Sequence, residues 1–446
     1  MDASLTRRYA DRIAGSRPGP DAIAAARNGV LDFLAAAVGG LPDGGYAKVK
    51  AALLPGAGAP AASVIGVPEK VDAQTAALLN GTLGHALDYD DVQAGVRGHP
   101  STVILPALFT AAEREGSTAE ALLASYAVGV EAMARLGRAM GTRHYETGFH
   151  NTATLGPVGA AAAIGHLLGL STEALANALG IAATQAAGLR LQFASEVKPL
   201  HAGLAARAGV LAVELARTGL AGNAAFLDGR LGFFAVLGLG GAHPERAVEG
   251  WGEPWEILSP GLAFKAYPCC GANGLPADAM LDLIGEHDLR ADEVEEVVVT
   301  FPPGGEAALV VTEPASGLDG RFSVEYAMAV ALLDRRLSLP RFADRPLDAD
   351  AAALLPRIRR RVDHDVPSIG DAPDRRFARV EVLTRDGTRL DHTATRVRGA
   401  QDLRAKFLDA ATGLDGAARI PDAVGAMRSQ DDLGSLMALL RTLGEA

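Results

Sequence analysis

The chain has 446 residues, 49% of them hydrophobic, 21% charged and 5% aromatic, with a formal net charge of −11. That length exceeds one ordinary core and predicts two domains. The composition excludes disorder as the main state, and the acidic balance argues against nucleic acid or an anionic membrane as a partner. The two cysteines, Cys269 and Cys270, are adjacent. They exclude a disulfide framework, a four-cysteine zinc site and an iron–sulfur cluster ligated by three or four cysteines of one chain.

Taken in chain order, the first fifteen residues carry no apolar stretch of the signal-peptide kind. No run of about 18 apolar residues predicts a membrane span. A reducing cytoplasm is the expected compartment. From residue 20 to about 250 the pattern is helical: Asp21–Gly39, Ala73–Leu87, Ile104–Glu115, Thr118–Met140, Asn151–Leu170, Ser171–Ala187, Leu200–Thr218 and Asn223–Leu227. Ser117-Thr118 and Ser171 are placed as N-caps. The helix from Asn151 is rich in Gly and Ala, which allows close packing within a subunit or across a dimer.

Near Pro260 the pattern changes. Val294–Pro302 is β-branched and predicts a strand. Phe377–Thr384 and Thr388–Thr395 flank Asp386-Gly387, a hairpin signal. Phe322–Asp334 and Ala343–Ala353 have helical spacing. The expectation is therefore a mainly α protein: an all-helical domain over 1–259, an α+β domain over 260–396 covering it as a lid, and a helical tail, 397–446, completing the first domain. The run Arg357–Arg361 reads as a solvated helix face, with contact to an acidic partner chain as the alternative. Gly238–Ala242 lacks the strand and the Lys-Ser/Thr of a phosphate loop and is rejected as one.

Four patches carry unusual polar content. His85, Asp88, Tyr89, Asp90, Asp91 and His99 crowd the end of an apolar helix, where they suit magnesium, a general base or mere capping. His150 precedes the Gly/Ala-rich helix, whose backbone N–H groups favour anions; Asn151 or Thr152 could as well be a simple cap. Lys198 and His201 form the third patch, and Lys265 with Cys269 and Cys270 the fourth. Only six of the 42 basic residues are lysines, so a Lys inside a mixed motif points to a specific need for a compact charge.

These patches together resemble the MmgE/PrpD family. The resemblance runs end to end through GHALDYDD (84–91), GHPSTVILPAL (98–108), GFHNTATLGPVGAAAA (148–163), KPLHAGLAARAG (198–209), FLDGRLGFF (226–234), KAYPCC (265–270) and FSVEYAMAVALL (322–333). It implies a homodimer with the active site between the two domains, no cofactor and no metal. It also implies a small di- or tricarboxylate substrate that loses or moves a proton beside a carboxylate. By the same resemblance Asp88, His99, His150, Lys198 and Lys265 are the catalytic set, with Tyr89, His201 and Cys270 binding substrate. Three positions depart from the decarboxylase-type pattern: Val92 stands for Thr, Cys270 for His, and Gly274 for a His. The expected reaction is dehydration of a 2-methylcitrate-like hydroxy acid, with epimerisation, cis-aconitate-type decarboxylation and carboxylate binding without turnover as alternatives.

Overall fold

The computed structural model describes residues 4–223, 225–369 and 375–443. The first part of the chain forms α1 (Leu5–Gly15), α2 (Pro20–Gly39), α3 (Gly44–Leu53), a ribbon of β1 (Ala62–Val64) and β2 (Val67–Val71), and α4 (Ala73–His85). After the two-residue strand β3 (Val92–Gln93) come α5 (Ser101–Glu115), α6 (Ala119–Met140), α7 (Arg143–Thr147), α8 (Asn151–Leu167), α9 (Thr172–Ala183), α10 (Val197–Arg217) and α11 (Phe233–Leu237). Strand β4 (Leu262–Ala263) pairs antiparallel with β3.

The smaller unit contains α12 (Gly274–His287), β5 (Val294–Phe301), α13 (Gly317–Gly320), α14 (Val324–Asp334), α15 (Ala349–Leu354), β6 (Ile358–Val362), β7 (Ala378–Thr384) and β8 (Arg389–Ala394). Its sheet runs β6-β5-β7-β8, with the β5–β6 pair parallel and the others antiparallel. The tail adds α16 (Leu403–Ala410), α17 (Ile420–Ala426) and α18 (Gln430–Arg441). Phe407, Ile420, Val424, Leu433 and Leu436 join the core built by α1–α11, whereas residues 269–394 enclose a second core.

Small residues set the spacing of the helical core. A Cβ at Gly81 of α4 would lie 2.8 Å from the Gly203 Cα of α10, and one at Gly203 would lie 2.2 Å from the Leu78 carbonyl oxygen. That contact packs the middle of α4 against the second turn of α10. The small face of α8 is used within the subunit, since a Cβ at Gly209 would meet Ala160 and one at Gly159 would meet Met133. It therefore gives no argument for a second copy. The caps Thr118 and Ser171 accept from Ala121 N and Ala174 N as expected.

The structure differs from the sequence reading in several places. Residues 357–361 are not a helix face: Ile358–Val362 is strand β6, and its arginines pair with Glu296 of β5 (Arg359), Glu381 of β7 (Arg361) and Glu325 of helix α14 (Arg360). The acidic partners lie within the chain. Helix α15 begins only at Ala349, and the described residues of 223–227 form a turn. The first part is not wholly helical, because β1 and β2 cover one end of α5. Helix α2 is long and apolar enough to cross a membrane, with a mean hydropathy of 1.3. Here it is a core helix, and it carries the fully buried Asp32.

Candidate active site

Four helix ends converge where the two cores meet. Helix α4 ends at His85, and the chain turns through Asp88, which takes a left-handed backbone with φ +52°. Helices α5, α8 and α10 begin beside it, placing Ser101, His150, Lys198 and His201. The β3–β4 pairing draws residues 262–263 against the end of this loop, two positions before Lys265. The smaller unit thus delivers its lysine through a strand anchored on the larger one.

Asp88 is the centre. Its Oδ1 accepts from Lys265 Nζ at 2.5 Å, and its Oδ2 lies 2.9 Å from Lys198 Nζ. Lys265 Nζ also donates to the Asp88 carbonyl at 2.6 Å. Burial alone would raise the Asp88 carboxyl, but the two ammonium groups, helped by His99 and His85, hold it well below the usual range. Burial would lower the Lys265 ammonium, and Asp88 and Asp90 instead raise it. Phe193 and Phe322 each place a ring centre 5.2 Å from Lys198 Nζ, keeping this cation dry on its far side.

The histidines have defined roles as donors and acceptors. His99 Nδ1 donates to the Asp91 carbonyl at 2.7 Å, so its neutral ring keeps a lone pair on Nε2, 3.7 Å from Asp88 Oδ1. His85 Nδ1 lies 2.9 Å from both oxygens of Asp90, and its Nε2 is buried without a partner. Asp90 stays below its ordinary value: burial opposes this, and His85 and His99 overcome it. His150 Nδ1 and His201 Nδ1 are 3.1 Å apart, one donating to the other. Burial pushes His99 down to about 3 and His201 to about 4, so both rings are neutral near pH 7.

Behind the loop, Asp91 accepts from Ser101 Oγ, which also contacts the Tyr126 hydroxyl. Burial, followed by the charge of Asp32, raises Asp91 to about 8. Asn151 and Thr152, candidates for capping α8, instead reach into the site. Asn151 Nδ2 donates to the Val96 carbonyl, and Thr152 Oγ1 accepts from His99 N.

Of the residues singled out in the sequence, Asp88, His99, Lys198 and Lys265 meet directly, with His150 and His201 beside them. Tyr89 is placed elsewhere: its ring packs with Leu87 and Ala36, and Lys406 Nζ sits 3.9 Å from the ring centre. Cys270 is buried at the boundary, its N–H donating to the Arg321 carbonyl, and burial raises its thiol. Sequence reasoning passed over His85 and Asp90 as a pair, and missed Phe193, Arg321 and Lys406. The scarcity of lysine was the available signal for Lys406.

Two groups of side chains have donor atoms close enough together to suit a metal ion. One ring nitrogen from each of His85, His99 and His150 lies within 4.8 Å of the others, and His85, Asp88, Asp90 and His99 meet the same limit. The donor types suit a divalent ion. Yet both Asp88 oxygens are already held by ammonium groups, so an ion there would face two cations at close range.

Two family models match the chain: the MmgE/PrpD N-terminal domain over residues 6–245 and the MmgE/PrpD C-terminal domain over residues 267–423. Among curated relatives, cis-aconitate decarboxylase of Aspergillus terreus is 31% identical over 305 residues, covering 64% of this chain and 62% of that protein. Cis-aconitate decarboxylase of Mus musculus is 27% identical over 390 residues, 82% of this chain and 78% of that protein. The human enzyme of the same name is 31% identical over 277 residues, 60% of this chain and 56% of that protein.

Proposed function

The chain belongs to the MmgE/PrpD family, and from that premise we propose that the site at the boundary of its two cores is that of a lyase acting on a small di- or tricarboxylate. The observation that carries the reading is the convergence of Lys198 and Lys265 on Asp88 with the His99 Nε2 lone pair 3.7 Å away. Two buried ammonium groups with one carboxylate between them are matched to an anionic ligand. A substrate carboxylate can share them with Asp88, and the N-termini of α8 and α10 add favourable backbone dipoles.

In this reading the lysines hold the carboxylate next to the reacting carbon and stabilise the enediolate that forms when its proton leaves. His99 accepts the proton on Nε2. Its low proton affinity in the empty site rises when a polyanion arrives, because negative charge favours the imidazolium. The His150–His201 pair is a second exchange group across the site. Loss of a β-hydroxyl as water gives the dehydratase reading, for a substrate such as 2-methylcitrate. Loss of carbon dioxide with protonation of the same carbon gives a decarboxylase reading, which the names of the relatives favour. Val92, Cys270 and Gly274 at the departing positions count against the decarboxylase reading without selecting dehydration.

Proton NMR in D2O tests these readings, with 2-methylcitrate, citrate, cis-aconitate and iminodisuccinate offered to the purified protein. A new alkene from a hydroxy acid supports dehydration, and itaconate from cis-aconitate supports decarboxylation. Deuterium entry with inversion or no net product replaces both with an epimerase. No change in any substrate removes the lyase reading for this panel. We also propose a homodimer, on the resemblance and on the exposed Leu189, Leu191, Leu220 and Leu231; light-scattering mass measurement decides it, and a monomer at micromolar concentration refutes it.

A further inference from the structure

Three carbonyl groups of the loop that carries Asp88 each accept from a cation brought in from far along the chain. Arg321 Nη1 donates to the Ala86 carbonyl, Lys265 Nζ to that of Asp88 at 2.6 Å, and Lys406 Nζ to that of Tyr89 at 2.9 Å. Arg321 and Lys265 belong to the smaller unit. Lys406 comes from α16 in the tail, 317 residues further along the chain than Tyr89. Its ammonium also donates to Asp32 Oδ1 of α2 at 2.6 Å, and both side chains are almost entirely buried.

A non-glycine residue at φ +52° is held only where its surroundings over-determine it. The Tyr89 carbonyl belongs to the peptide that joins Tyr89 to Asp90, one residue beyond Asp88. An unheld carbonyl at that point would free the loop to relax. It would also be costly, because a buried acceptor without a donor keeps its full desolvation penalty.

We propose that Lys406 is a positioning residue for the Asp88 loop, and that docking of the tail helix sets the geometry in which Asp88 meets Lys198 and Lys265. Asp32 supplies the counter-charge that lets an ammonium sit there, and the bond to the Tyr89 carbonyl is the functional contact. The turnover part of the test rests on the lyase reading; the amide-exchange part does not.

The experiment separates charge balance from carbonyl anchoring. Lys406→Met alone leaves Asp32 buried without a cation, so a loss of Tm there is uninformative about function. The charge-matched pair Asp32→Asn/Lys406→Met removes that imbalance while leaving the Tyr89 carbonyl unheld. Its Tm is expected to return close to wild type. Amides of residues 86–91, followed by mass spectrometry, should exchange faster than in wild type, and kcat should fall by on the order of ten- to a hundredfold with a smaller change in KM. In Asp32→Asn/Lys406→Gln the side-chain amide can again donate to Tyr89, and both protection and kcat should move back toward wild type. Wild-type protection in the Met pair, or equal behaviour of the Met and Gln pairs, overturns the proposal. If the wild-type protein turns over none of the substrates, the lyase reading fails while exchange at 86–91 still decides the role of Lys406.

Discussion

Asp88 in the site and Asp32 behind it are both buried carboxylates bonded to buried lysines, yet their chemistry diverges. Burial pushes each carboxyl upward. At Asp88 two ammonium groups reverse the effect and hold the group well below its ordinary value. At Asp32 the one ammonium, Lys406, offsets burial only in part, and the carboxyl stays raised. Asp91, which has no ammonium and only Ser101 to donate, is raised to about 8. The three form a series of two, one and no close cations. Desolvation of a charge is large enough that one opposite charge does not fully compensate it. The second lysine at Asp88 is therefore what keeps that carboxylate ionised, and the pair of cations is a charge that a ligand carboxylate can share.

The largest expected effect comes from making Asp88 resemble Asp32. Lys198→Met leaves it with Lys265 alone. Turnover on the substrate identified by NMR should fall by about a thousandfold, the scale for losing one electrostatic stabiliser in a closed site. Binding of a tricarboxylate, read by calorimetry, should weaken in the same variant. Retained turnover would show that the two-cation arrangement is structural after all.

A smaller effect sharpens the other end of the series. Asp91 has a folded value near 8, against about 4 in an unfolded chain. The folded form thus keeps a proton that the unfolded form loses. The stability linked to that proton is complete below about pH 4 and is lost as pH rises towards 8. Asp91→Asn retains a partner for Ser101 and removes the titration, so its Tm relative to wild type should climb between pH 5 and pH 8. The histidines act with the opposite sign. His99 at about 3 and His201 at about 4 lie below the unfolded value of about 6.5, so their contribution is lost as pH falls below about 6.5. A flat Tm difference for Asp91→Asn across that range would mean that Asp91 is ionised in the folded protein.

The sequence carried the parts of this site that sit in compact strings. Asp88, His99, His150, Lys198 and Lys265 each stand in a motif whose polar residues interrupt an apolar pattern, and helix periodicity put most of them at helix ends. Pairings across long separations were not legible. Nothing local in AKFLD marks Lys406 as the partner of Asp32, 374 residues away, and Arg321 looks like any basic residue between two helices. The Arg357–Arg361 run was misread for a related reason. A strand with arginines on both sides of its pleat has no apolar alternation, and the acids that neutralise it come from β5, β7 and helix α14, all remote in sequence. Tyr89 shows the limit of motif reasoning from the other side, since membership of the DYDD string did not determine which way its ring would face.

The smallest expected effect is the control on burial. Lys48 Nζ and Glu196 Oε1 are 2.5 Å apart, the same distance as Lys265 and Asp88, but the Lys48 side chain is 69% exposed. Water already solvates both groups, and ordering two long side chains offsets what attraction is left after screening. Lys48→Met should therefore leave Tm and turnover unchanged within measurement error at physiological salt. Lys406→Met should lower Tm clearly, because it strands Asp32 in a fully buried site. Were the two substitutions to shift Tm equally, distance rather than desolvation would govern these pairs, and burial would not be what separates Asp88 from Asp32.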